Sequence, residues 1–195
     1  MLNYSLKREN GQFTIIEGAI GYSVDVETST DKVYQYLMEE WSRETCEIHV
    51  KTVEVQPKGS AEELAKVKDV LGSFTTSFST SGAERSANVT NGARLINGAI
   101  IYPGDEFSTY ALVSPYTAAN GYYPAGSYVG GRVVDSMGGG ICQVSSTLYN
   151  AVLRAELQVD ERHNHSMIVN YVDRSADAAI AGTAKDFKFT NNTDY

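Results

Sequence analysis

Gly138-Gly139-Gly140-Ile141-Cys142-Gln143-Val144-Ser145-Ser146-Thr147-Leu148-Tyr149-Asn150 is the stretch on which the reading of this 195-residue chain turns. Three glycines run into a cysteine, and apolar residues then recur at helical spacing: Val144, Leu148, Ala151 or Val152, and Ala155. That period predicts a helix over 142–156 with Cys142 at or near its N-terminus. Unpaired N–H groups and the positive end of the macrodipole favour a thiolate at such a place. The glycine run lacks the lysine-serine ending and preceding hydrophobic strand of a phosphate loop. It reads either as a tight connector or as a cradle of N–H groups for an oxyanion or carboxylate, and both readings stay open.

Working outward, residues 114–137 read as a long loop rich in Tyr, Gly, Pro and Ala, with aromatic residues such as Tyr128 facing a ligand. Before it come a strand at 100–102, an extended piece from Phe107, a helix over 86–97 stopped by Gly98, and an edge strand over 74–80. The first part of the chain alternates over 12–26, then forms a helix capped by Ser29 or Thr30 and a bulged strand from Cys46 to Val55. Ser60-Ala61-Glu62-Glu63 matches a capping box for a short helix with Leu64, Val67 and Leu71 inward. After the cysteine helix, strands are expected over 166–172, 177–180 and 187–190. The fold class is α+β. A small N-terminal α+β module, residues 1–71, precedes a mixed α+β domain, 72–195, whose Gly-rich turn leads into a Cys-bearing helix.

Twenty-four acidic side chains against sixteen basic ones leave a net charge of -8, which argues against a nucleic-acid partner. No run reaches the roughly 18 apolar residues of a membrane span. Met1-Leu2-Asn3-Tyr4 does not open a signal peptide, so the chain reads as cytoplasmic or as lacking its targeting segment. Thirteen tyrosines with many Ser, Thr and Asn residues suit an extracytoplasmic protein that handles polar polymers. The two cysteines read as free thiols, Cys46 as a buried small hydrophobe.

A thiol nucleophile needs a base, and the base needs an orienting group. Cys142, then His163 or His165, then Asp177 supply them in the chain order of papain-like and transglutaminase-like enzymes. The plainer alternative packs Cys142 under its helix and leaves the histidines as polar strand ends. His163-Asn164-His165 also has the spacing for zinc chelation, with Cys142 or Asp177 completing the site, but two alternating histidines are a weak signal. No metal or cofactor is therefore assigned. Glu161 and Arg162 read as residues that solvate the strand entrance. Ligand contacts are expected from Gly139, Gly140, Gln143 and Tyr128.

Gly138 to Asn150, Glu161-Arg162-His163-Asn164-His165-Ser166, Asp177-Ala178, and Asp186-Phe187-Lys188-Phe189 followed by Asn191-Asn192-Thr193-Asp194-Tyr195 resemble the VanW family. Arg85-Ser86-Ala87-Asn88-Val89 and the segment from Asn97-Gly98 to Ser108 extend the likeness upstream. The first ~70 residues resemble the peptidoglycan-binding module that commonly precedes this family's domain, a boundary placed to within a few residues. Where family members carry Pro-Gly-Arg before the acid, this chain has Arg174-Ser175-Ala176. The resemblance implies a Gram-positive, extracytoplasmic protein of the cell envelope, tethered to the membrane by an anchor absent from this chain. Its implied partner is peptidoglycan or its stem peptides. Two functions follow from different classes: binding or helping to remodel peptidoglycan, or cysteine-dependent acyl transfer or hydrolysis on wall peptides.

Overall fold

The computed structural model describes residues 2–9 and 12–194, and of Arg8 and Val129 the backbone only. The chain divides into two compact units, Met1–Lys68 and Asp69–Tyr195. Both combine helices with antiparallel strands, an α+β architecture.

In the first unit, β1 (Ser5–Glu9) pairs with β2 (Gln12–Ile16), and β3 (Gly21–Val24) with β4 (Thr52–Val55). Helix α1 (Val26–Glu39) joins the second pair. Its cap is Asp25, whose carboxylate accepts from the Thr28 N–H, rather than the expected Ser29 or Thr30. Ser29 is buried and exchanges hydrogen bonds with the Lys51 backbone. The expected strand from Cys46 begins only at Thr52, so Cys46 stays outside the ladder and is exposed rather than buried. The capping box forms: Ser60 accepts from the Glu63 N–H and bonds its carboxylate. Helix α2 (Ala61–Leu64) is one turn long, leaving Val67 off its face.

The second unit is built on α3 (Ala83–Ile96) and α5 (Ile141–Arg154), which meet at Gly92. A Cβ there would stand 2.1 Å from Ile141 Cδ1, so the close helix approach requires glycine. An antiparallel sheet of order β5 (Glu106–Ser108), β9 (Lys188–Thr190), β8 (Gln158–Glu161) packs on them, with α4 (Thr109–Val113) following β5. The core joins Val89, Phe107, Val113, Tyr122, Ile141, Val144, Val152, Ile180, Phe187 and Phe189. Stacking of Phe107 and Phe187 on Phe189, with centroids 4.9 and 5.6 Å apart, and the edge of Tyr149 on Phe187 fix its centre.

Several expectations need correction. Residues 114–137 are not all loop: β6 (Pro124–Val129) and β7 (Arg132–Met137) form a hairpin. Its two-residue turn, Gly130-Gly131, has positive φ at both positions, as a type I′ hairpin turn demands. No strand forms over 74–80, 100–102 or 166–172.

Residues 177–180 run extended but join no ladder, because α5 takes the place of a neighbouring strand. Asn150 donates to the Ala176 carbonyl at 2.7 Å, Ser145 and Ser146 donate to Ala178 at 2.6 and 3.3 Å, and Cys142 donates to Ile180 at 3.4 Å. Four helical residues rise about 6 Å and two extended residues about 6.6 Å. Side chains four apart on α5 therefore meet every second carbonyl of the segment. On the other side the Ala179 N–H donates to the His163 carbonyl at 2.7 Å.

Candidate functional site

Cys142 occupies the first turn of α5, after the N-cap Gly140 with its φ of 101°. The glycine turn ahead of it is held from α3. Asn88, fully buried, donates to the carbonyls of Tyr123 and Gly139, both at 2.9 Å, and accepts from the Tyr123 N–H at 2.8 Å. Gly139 lies flat on β6: a Cβ would come within 2.1 Å of the Ala125 oxygen. Gly138 and Gly139 donate their own N–H groups to Tyr123 and Ser136, and Ile141 donates to Gly138. Those donors are used inside the turn, so Gly139 is a connector rather than a ligand contact, while Gly140 stands in the wall of the cavity beside Cys142.

Gln143 is corrected in the same way. It is 2% exposed, its amide nitrogen donates to Thr76 and Ser77, and its oxygen accepts from Arg85 at 2.8 Å. It anchors Arg85 and the 76–77 segment instead of meeting a ligand.

A cavity of about 620 Å³ opens beside the cysteine. Cys142, Gly140, Tyr128, His165, Arg85, Tyr116, Tyr171 and Lys185 stand in its wall. Three tyrosines close its aromatic side. Tyr128 and Tyr171 set their rings edge-on to His165, at 6.1 and 6.5 Å between centroids. Tyr128 also donates weakly to the Ile168 carbonyl. Burial pushes the Tyr116 and Tyr171 hydroxyls well above the usual phenol range, so both stay protonated. The Tyr116 hydroxyl is buried without a hydrogen-bond partner, a state that ordinarily costs about 1–3 kcal/mol.

His165 is held by Asp177. One carboxylate oxygen accepts both the His165 backbone N–H at 2.7 Å and the ring at Nδ1, 2.6 Å away. The other accepts from Arg162 at 2.9 Å, and Arg162 adds bonds to the carbonyls of Asp177 and Ser175. Burial alone would raise the Asp177 carboxyl pKa, but the backbone and ring bonds from His165 outweigh it and hold the carboxyl below its ordinary range. In a neutral ring the ionised carboxylate accepts its hydrogen bond from the Nδ1 proton, which leaves the lone pair on Nε2.

Arg162 is thus a positioning residue that sequence reading passed over as a solvating one. Its signal lay in the pattern itself: a cation within the Glu161–Ser166 stretch that carries the candidate histidines. Glu161 also works inward, accepting from His163, Lys188 and the Asp186 N–H.

His163 turns away from the cavity to Glu161, at 3.0 Å. The two histidines therefore do not converge, and among the described residues no three His, Cys, Asp or Glu side chains gather as a metal site would need. Cys142 and His165 stand in the wall of one cavity, Asp177 holds His165 through Nδ1, and His163 is turned to Glu161. The sulfur donates to the Ile180 carbonyl, not to an imidazole nitrogen. Burial pushes the Cys142 thiol up, against the smaller lowering by the Ile180 bond, so the helix N-terminus does not make it a resting thiolate.

Comparison with known proteins places the chain in a family. The family model described as VanW like protein matches residues 84–195. The chain is 35% identical over 183 residues to the uncharacterized protein YoaR of Bacillus subtilis, covering 93% of this chain and 59% of the relative. It is 28% identical over 113 residues to the vancomycin B-type resistance protein VanW of Enterococcus faecalis, covering 55% of this chain and 41% of that protein. The chain thus spans about half the length of these curated relatives. No solved structure matches it.

Proposed function

The chain belongs to the VanW family, and on that footing we propose that it is an extracytoplasmic protein of the cell envelope that binds peptidoglycan stem peptides and remodels them by acyl transfer through Cys142. The observation that carries this reading is the placement of the Cys142 thiol and the Asp177-oriented His165 ring in the wall of one cavity. The resistance named for the Enterococcus faecalis relative supports the envelope setting. The first unit supplies affinity for the polymer, as its resemblance to a peptidoglycan-binding module implies.

Chemically, the thiol gives its proton to Nε2 of His165 as the sulfur bonds to a peptide carbonyl carbon. Asp177 stabilises the imidazolium. The C–N bond breaks, the departing amine takes the proton from His165, and a thioester remains. Water or an acceptor amine then attacks the thioester, gives a proton to the ring, and releases the sulfur, which regains it. The resting thiol is protonated, so proton transfer accompanies substrate binding rather than preceding it.

A binding role without turnover is the second reading, favoured by the bond from the sulfur to Ile180, which makes Cys142 one of the side chains that hold the 176–180 segment. Incubation with purified peptidoglycan separates the two. Turnover predicts altered stem peptides by mass spectrometry with the wild type, none with Cys142→Ala or His165→Ala, and co-sedimentation of all three. Co-sedimentation with no product from any of them leaves binding alone, and no co-sedimentation removes both readings.

A further inference from the structure

We propose that the cavity beside Cys142 selects a ligand with a free carboxylate, held between Arg85 and Lys185, so that the sulfur faces the terminal segment of a peptide rather than an internal one. The inference rests on reading this cavity as the ligand site, and adds the class of ligand it takes.

The charge in the wall carries the argument. The protein is acidic overall, at -8, yet the residues lining the cavity include Arg85, Lys185 and His165 and no aspartate or glutamate. Arg85 is fixed by neutral acceptors: Ser81 Oγ at 2.7 Å and Gln143 Oε1 at 2.8 Å. Lys185 has a single long bond, 3.4 Å, to the Asn164 carbonyl. Among the described residues neither has a carboxylate within ion-pair distance, whereas Lys7, Lys51, Arg162 and Lys188 each do. Two cations without a counter-ion in one concave wall focus a positive field and concentrate anions there.

Tyr116 also lines this wall, but its hydroxyl is buried out of reach of solvent and is not one of the donors on offer. A carboxylate suits the two cations, because the Arg85 fork has donors left over and the Lys185 ammonium has one long bond. Amide or sugar ligands would leave the two charges uncompensated.

The test reads the field at Cys142 directly. In a Cys46→Ser background Cys142 is the one remaining thiol, and its alkylation by iodoacetate and by iodoacetamide is followed by mass spectrometry. The ratio of the two rates is divided by the same ratio for N-acetylcysteinamide. The expected result is about tenfold enrichment for iodoacetate, falling with added salt. The enrichment drops toward one in Lys185→Gln and in Arg85→Gln. Lys185→Gln removes a group held by one backbone carbonyl and so leaves the fold in place. A ratio equal to that of the small thiol, or one unchanged in both variants, overturns the proposal.

A second arm measures protection of Cys142 from iodoacetamide by a stem peptide with a free C-terminus and by its C-terminal amide. Protection by the acid at about one-tenth the amide concentration supports the proposal, and equal protection overturns it. Iodoacetate enrichment without protection by either peptide supports the anion site while removing stem peptides as the ligand of the proposed function.

Discussion

Asp177→Asn tests how the candidate site is held together. The carboxylate accepts three hydrogen bonds, one from Arg162 on the first oxygen and two from His165 on the second. Asparagine keeps the shape but has one acceptor and one donor group. If its oxygen faces His165, its amide nitrogen meets the Arg162 guanidinium; if it faces Arg162, the nitrogen meets two N–H groups of His165. Either way one side becomes donor against donor.

Bonds to charged groups contribute about 1.5–3 kcal/mol each. The Arg162 side chain is 24% exposed and keeps its carbonyl partners, which softens the loss. The expected destabilisation of the second unit is therefore about 2–4 kcal/mol at pH 7. The single tryptophan, Trp41, lies in the first unit, so its fluorescence is the wrong probe. Native-state amide exchange of the α5 core reports the second unit directly and should quicken roughly 30- to 900-fold.

The pH dependence has a definite sign. A depressed folded pKa means that Asp177 contributes stability above the ordinary carboxylate range, and that this is lost as pH falls through the lowered value. The gap between wild type and variant should narrow below about pH 4. A gap under about 0.5 kcal/mol at pH 7, or one undiminished in acid, would refute the ion-pair reasoning.

Gly139→Ala should destabilise the second unit by about 3 kcal/mol in chemical unfolding, because its Cβ meets backbone at 2.1 Å and neither side can retreat cheaply. Asn88→Ala takes the side-chain partner from the buried Gly139 carbonyl and the Tyr123 N–H, while the Tyr123 carbonyl keeps the Gly138 N–H, and a loss of about 2–4 kcal/mol in the same measurement is expected. Iodoacetamide labelling of Cys142 in the ligand-free protein should rise with a midpoint above the ~8.5 of a free cysteine, since burial disfavours its thiolate; a midpoint below 7 would reverse the account of the resting sulfur.

Helix α5 was legible from the sequence because its signal is local: Val144 and Val152 repeat at the helical period wherever the chain goes next. The same holds for the Ser60 capping box. The β6–β7 hairpin also carried a local signal, Gly130-Gly131 between two runs of six, but the weak alternation of those runs hid it.

What tertiary structure alone decided is which partner each polar group finds. The apolar period says that α5 has a buried face, not that Ser145, Ser146 and Asn150 on it bind the carbonyls of 176–180 and replace a strand. His163 and His165 are equivalent in composition and spacing, yet Glu161 claims one and Asp177 the other. Local geometry made Cys142 a helix N-terminal thiol, while burial against the Ile180 carbonyl made it a protonated one. Hydrogen bonds and desolvation depend on residues tens of positions apart, and no local pattern encodes those distances.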